Sequence, residues 1–124
     1  MTTLSDNEIV KMIFNHHNQY RNQHKLKSLQ CESSLINSAL LHSKEMSQKG
    51  QLYHNMTDGV KLQNVILCTS NWLKEEHIHK ITKKWYEHPP HQRTILETSV
   101  TKIGIGWYYK DLTKKEIFMT CNFS

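Results

Sequence analysis

The chain has 124 residues, which suits one domain (residues 1–124, with its core from about residue 5) and one modest hydrophobic core. Hydrophobic residues make up 37%, and no run approaches the roughly 20 apolar residues of a membrane span, which excludes a transmembrane segment. Sixteen Lys and Arg against eleven Asp and Glu give a net charge of +5, but the cations are scattered in pairs such as Lys83-Lys84 and Lys114-Lys115. Without a dense basic block interleaved with aromatic residues, nucleic acid is excluded as the main partner.

The segment Met1 to Asn7 is polar and lacks the apolar stretch of a signal peptide. That leaves a cytosolic chain, export by another route, or a leader already removed. Ile9, Val10, Ile13, Phe14, His17 and Tyr20 then recur at helical spacing, with Ser5 or Asp6 as N-cap and Glu8 in the first turn. The spacing predicts a first helix that buries one apolar stripe. It ends in His17-Asn18-Gln19-Tyr20-Arg21, followed by Leu26 and Leu29.

A second helix is expected over Glu32 to Lys49, burying Leu35, Ser38, Ala39, His42 and Met46, with Ser33 and Ser34 as capping residues and Gly50 as the stop. The small residues Ser38 and Ala39 let a neighbouring element come close. Gly50-Gln51-Leu52-Tyr53-His54 follows, and Asp58-Gly59 marks a turn. Gln63 to Thr69 is short, apolar and partly β-branched, and reads as a strand.

A third helix is expected over Glu75 to Glu87, with Ile78, Ile81 and Trp85 on one stripe and Trp72 just ahead of it. Pro89-Pro90 cannot lie in a helix interior but can open one, so Pro89 to Leu96 reads as a new short helix. His91 falls in its first turn, where N–H groups and the positive dipole end disfavour protonation. A neutral histidine at this corner, near Trp85, Glu87 and His88, is either a ligand or a residue that merely caps the turn. Lys102 to Tyr109 and Glu116 to Phe123 read as an antiparallel hairpin, with Gly104 and Gly106 inviting close approach on one face.

Helices and strands in this order imply an α+β fold in which helices cover both faces of a small, mainly antiparallel sheet. Cys31, Cys68 and Cys121 are odd in number and lack CxxC spacing, so unpaired, buried thiols are expected. Cys68, in an apolar strand, is expected to be protonated and unreactive. The chain has no Gly-x-Ser-x-Gly, P-loop or dinucleotide fingerprint. Asn55-Met56-Thr57 and Asn122-Phe123-Ser124 fit the glycosylation sequon, which matters only in a secretory pathway.

Several of these segments, in this order, resemble the CAP superfamily: His17-Asn18-Gln19-Tyr20-Arg21, Tyr53-His54, Gln63-Asn64-Val65, Trp85 to His91 with Ile95-Leu96, and Ile103-Gly104-Ile105-Gly106. That superfamily holds cysteine-rich secretory proteins, venom allergens and pathogenesis-related proteins. The pattern is most similar to the short bacterial-type members, and the few cysteines agree with that branch or with a reducing compartment. The resemblance covers about Ile9 to Phe123 and implies a three-layer α-β-α sandwich, an extracellular location and a central cleft lined by two histidines and two acids.

Carried over residue by residue, the histidines are His54 and His91, and both are metal ligands where a member binds a divalent metal. The first acid falls on Gln63 and the second on His88, with Glu87 adjacent. An amide cannot act as a general base, which counts against catalysis, although its carbonyl oxygen can orient an imidazole. His88 offers a third imidazole, and three histidines plus water make a zinc site; two alone hold zinc weakly. Restoring the acid with Gln63→Glu is expected to strengthen that binding.

The sequence therefore reads as a CAP-like, non-enzymatic and monomeric binding module. Its cleft would take a lipid, a sterol-like or other small apolar ligand, a peptide or a protein partner. No cofactor is required, and a divalent metal such as zinc binds weakly. The alternatives are a metal-assisted, peptidase-like hydrolase and a structural interaction domain with a vestigial cleft.

Overall fold

The computed structural model of the chain describes residues 4–57 and 59–124. Met1 to Thr3, from the polar N-terminal segment, and Asp58 of the expected Asp58-Gly59 turn lie outside the described residues.

Helix α1 spans Asp6–Gln23. Ser5 is its N-cap: the Glu8 backbone N–H donates to Ser5 Oγ, and Ser5 N–H donates back to Glu8 Oε1. This reciprocal box satisfies two of the donors a helix start leaves free. Ile9, Ile13, His17 and Arg21 form its buried stripe.

Arg21 is 2% exposed and, among the described residues, has no carboxylate partner; its guanidinium donates to the carbonyls of Lys27, Ile95 and Glu97 at 2.8–2.9 Å and of Val100 at 3.5 Å. Asn18 completes the clamp, bonding both the N–H and the C=O of Leu29. The end of α1 thus pins two loops by their main chains.

Strand β1, Gln30–Cys31, has no counterpart in the sequence reading, because two exposed residues leave no periodicity to detect. It pairs in parallel with β3 (Lys102–Tyr109), which makes the sheet mixed rather than wholly antiparallel. The pairing turns Cys31 to the surface, which corrects the expectation of a buried thiol there. Cys68 and Cys121 are buried, and burial pushes the Cys68 thiol up to about 12 and raises that of Cys121 as well. Among the described residues no disulfide forms.

Helix α2 spans Ser33–Lys49. Its N-cap is Glu32 rather than either serine, and Ser34 Oγ donates to the Glu32 carboxylate. Gly50 stops it in the left-handed conformation that favours glycine. The helix lies directly on Gly104 and Gly106: a methyl group at Gly104 would overlap the backbone of Leu35 and Ile36, and one at Gly106 that of Ala39 and Leu40.

Strand β2 spans Leu62–Thr69, followed by a 3-10 turn at Ser70–Leu73. Helix α3 covers only His79–Tyr86, shorter than the Glu75 to Glu87 expected. Residues 74–78 are used in tight turns that bring Leu73 and Ile78 onto the core before the helical pitch begins. Pro89 then opens α4, Pro89–Ile95, as its missing N–H predicts. Strand β4 is Glu116–Phe123.

The sheet order is β1-β3-β4-β2, with β4 antiparallel to both neighbours. Helix α2 covers one face, and α1, α3 and α4 pack on the other, giving the α-β-α sandwich. The larger core lies on the three-helix side, where Ile105, Ile117, Cys121 and Phe123 meet Ile9, Ile13, Ile81 and Trp85. Trp85 spans this core and donates its indole N–H to the carbonyl of Val65 at 3.1 Å. Because β2 is an edge strand, both of its faces and its free rim are reachable by the loops that follow α2 and α3. The histidines gather along that rim.

Candidate functional site

Strand alternation divides the site. Gln63 points to the α2 face and Asn64 to the other, so adjacent amides serve different histidines. On the α2 face, Gln63 pairs across the ladder with Asn122, and both side chains are buried, 6% and 1% exposed. Gln63 Nε2 donates to Asn122 Oδ1 at 2.8 Å and to the Asn55 carbonyl at 3.2 Å. Its Oε1 accepts the Asn55 N–H at 3.1 Å and lies 3.0 Å from His54 Nδ1. All four hydrogen-bonding positions of the amide are filled.

On the opposite face, Asn64 Nδ2 donates to the backbone carbonyl of His91 at 3.2 Å and anchors the first turn of α4. His91 is not a capping residue. Its Nδ1 lies 3.1 Å from Nδ1 of His88, with ring centroids 4.7 Å apart, so one ring donates its N–H and the other accepts. Burial, then the neighbouring His88, then His54, hold the His91 imidazole below its ordinary range and so favour its neutral form. Partial burial comes first among these causes, not the helix dipole expected from the sequence.

The predicted residues thus form two pairs, His54 with Gln63 and His88 with His91, and His54 is close enough to bear on the charge of His91. Glu87 shares a groove of about 620 Å³ with His88 and His91, walled by Leu52, Leu67, Trp72 and Trp85. Among the described residues it bonds neither ring. Ser38, Asn55, Asn64 and Asn122 take part without having been singled out as site residues. The only signal for them was polarity at positions that period-2 or helical spacing buries, as with Ser38 and Asn122.

As a donor set, His54 and His91 offer two imidazoles, with Gln63 as a neutral oxygen already committed elsewhere. Among the described residues no group of three or more His, Cys, Asp or Glu side chains is arranged to hold a metal ion. The three-histidine arrangement weighed from the sequence is therefore not formed: His88 turns its Nδ1 to His91. Also among the described residues, no helix is long and apolar enough to cross a membrane. A larger groove, about 710 Å³, runs along β3 at the opposite edge of the sheet between Val10, Leu40 and Trp107, and contains no histidine. Of the two sequons, Asn55 is exposed and Asn122 is sealed inside the sheet–helix interface.

The model of the cysteine-rich secretory protein (CAP) family matches residues 14–123. No curated protein matches the sequence. Among solved structures, an outer surface protein from Borrelia burgdorferi superposes with a TM-score of 0.76 at 16% identity, over 99% of this chain and 97% of that one. An extracellular protein containing an SCP domain from Bacillus anthracis gives 0.70 at 20% identity, over 99% of this chain and 44% of that one. NaASP2, solved with Zn2+, gives 0.74 at 10% identity, over 99% of this chain and 82% of that one. At these identities the likeness is one of fold.

Proposed function

This chain belongs to the cysteine-rich secretory protein (CAP) family, and on that premise we propose that it is a single-domain, monomeric, non-enzymatic binding module. It acts outside the cell through the cleft formed by His54, Gln63, Glu87, His88 and His91. The observation that carries this reading is the complete engagement of Gln63. A neutral amide with every position filled holds His54 in place but can neither take nor give a proton near neutral pH, so the cleft is built to hold rather than to cleave. The apolar walls of the adjoining groove, Leu52, Leu67 and Trp72, favour a lipid, a sterol-like or other apolar ligand, or an apolar segment of a peptide or protein partner. The outer-surface and extracellular relatives support the location, and exposed Asn55 is then the sequon open to modification.

NaASP2, solved with Zn2+, supports a divalent metal as a candidate ligand here. The residues here fit one only in part: His54 and His91 would hold it, and a zinc site of high affinity wants at least three protein ligands. Binding is weak and not required. A titration of zinc into the wild type and His91→Ala proteins, followed by heat of binding, tests this. Weak binding that disappears in His91→Ala is expected. Tight binding in the wild type that His88→Ala abolishes would replace this reading with a metalloenzyme. A thermal-shift screen of fatty acids, sterols and apolar peptides, with and without zinc, tests the ligand class. A raised melting temperature that Leu67→Glu removes supports the groove, and a response indifferent to that change overturns it.

A further inference from the structure

We propose that Ser38, Asn122 and Gln63 form a hydrogen-bond chain of fixed polarity that holds neutral His54 with its proton on Nδ1 and so presents an unprotonated Nε2 to the cleft. The functional value of this rests on the binding reading above; the tautomer itself does not.

The polarity starts at a group with no choice. The Leu35 carbonyl can only accept, and the Ser38 hydroxyl donates to it at 3.1 Å. With its one proton committed, Ser38 Oγ faces Asn122 as an acceptor and takes the Asn122 Nδ2–H at 2.9 Å. Asn122 must then present Oδ1 to Gln63, and Gln63 must answer with Nε2 at 2.8 Å. That leaves Gln63 Oε1 facing the other way, 3.0 Å from His54 Nδ1. An oxygen there accepts, so Nδ1 carries the proton.

A second lock acts independently. The main chain of Asn55 grips the same amide at both ends, its N–H on Oε1 and its C=O on Nε2. Turning Gln63 over would set donor against donor and acceptor against acceptor at Asn55, and acceptor against acceptor at Asn122 Oδ1. Gln63 and Asn122 are too deeply buried for water to relieve those clashes. The two ends of the chain, one in α2 and one in the loop before β2, therefore demand the same orientation.

Neutral imidazole has one donor and one acceptor nitrogen. With the donor committed to Gln63, Nε2 of His54, an exposed residue, offers a lone pair. The ligand group it suits is a hydrogen-bond donor, such as a hydroxyl, an amide N–H or an ammonium, rather than a carboxylate or carbonyl oxygen. Gln63 is thus a positioning residue, acting on the ligand through His54.

The test is the tautomer. In 15N-labelled full chain at about pH 8, above the usual imidazole range, long-range proton–nitrogen spectra distinguish the two forms of each neutral histidine. His54 is expected with Nδ1–H in about tenfold excess or more, the ratio that a mispaired, partly buried polar contact commands. Gln63→Met, which keeps the shape and removes the acceptor, should abolish the excess. Gln63→Glu, which keeps an acceptor, should preserve it. A wild-type His54 protonated on Nε2 overturns the proposal, whether or not either variant folds, and so does an excess that survives Gln63→Met. A locked His54 in a protein that binds none of the probes above supports the chain of bonds and counts only against the binding reading.

Discussion

At the end of α1, His17 and Arg21 are sealed in the core; at the rim of β2, His54 and His91 stand partly open to solvent. Both regions carry family signature residues, and both hold a histidine neutral, yet for different ends. His17 donates Nδ1–H to the Ile13 carbonyl at 2.8 Å and lies 5.9 Å, centroid to centroid, from the rings of Trp85 and Phe123. Among the described residues its Nε2 has no hydrogen-bond partner, and burial, the largest cause, pushes the His17 pKa down to about 4. It is core material. His91 is held low first by partial burial, with His88 and then His54 adding to it, and it stays partly open to solvent. Exposure and partners, not place in a motif, thus separate a histidine that is available to a ligand from one that belongs to the core.

The contrast meets its hardest test at the α1 end. Arg21→Ala strands several carbonyls that pin two loops, and the expected loss is about 3–5 kcal/mol, comparable to breaking a buried ion pair. Trp85→Ala, which empties the larger core, is expected to cost a similar ~3–5 kcal/mol. His91→Ala should stay within about 0.5 kcal/mol while weakening zinc binding. Urea denaturation of the three variants decides this; comparable losses in all three would erase the distinction between scaffold and site.

A pH profile probes the buried histidine by itself. Unfolded His17 titrates near its ordinary value of 6.5, and folded His17 near 4. The unfolded state therefore binds more protons between those values, and stability rises with pH across that window. The His17 contribution is complete above about pH 6.5 and is lost as pH falls toward the folded value of about 4. At about 1.4 kcal/mol per unit, the loss is on the order of 3 kcal/mol. Melting curves across this range should show that slope in the wild type and a shallower one in His17→Phe. An unchanged slope in the variant would assign acid sensitivity elsewhere.

On the cleft side, Gln63→Glu is a less simple restoration than its chemistry suggests. A carboxylate adds charge to favour a cation beside the histidines, but it removes the donors that Asn55 O and Asn122 Oδ1 now receive. Leaving buried acceptors facing a carboxylate should cost about 1–3 kcal/mol in the absence of metal. Denaturation with and without zinc separates the two terms, and a metal-free Gln63→Glu protein as stable as the wild type would mean that Asn122 turns over freely to accommodate it. The smallest effect concerns thiols. In the native protein Cys31 should react with a thiol reagent well before Cys68 and Cys121, and denaturation should release all three. Fast labelling of more than one thiol in the native state would show that the sheet interior opens readily.

Much of the fold was legible because its signals are local. The capping box at Ser5 and Glu8, the stop at Gly50 and the opening of α4 by Pro89 are decided within one helical turn. The hairpin strands follow from period-2 patterning, and Gly104 and Gly106 announced the close approach that α2 makes. The start of α3 was misplaced because exposed Glu75 and Glu76 are good helix formers, while tight turns there serve to bring Leu73 and Ile78 to the core.

Local patterning therefore settles the order and kind of the main elements, the buried stripes of α1, α2 and Trp85, and the residue types offered to the cleft. How those types are used depends on tertiary contacts. Residues 30–31 become a strand because β3 has a free edge beside them. Asn122, read as part of a sequon, becomes the inner link of a polar chain because register sets it opposite Gln63 and beneath Ser38. His88, weighed as a metal ligand, instead pairs with His91 one turn along α4. Periodicity tells which face a side chain occupies, but the partner of a buried amide or imidazole arrives from another strand or helix, and its identity is written in register and packing rather than in neighbouring residues.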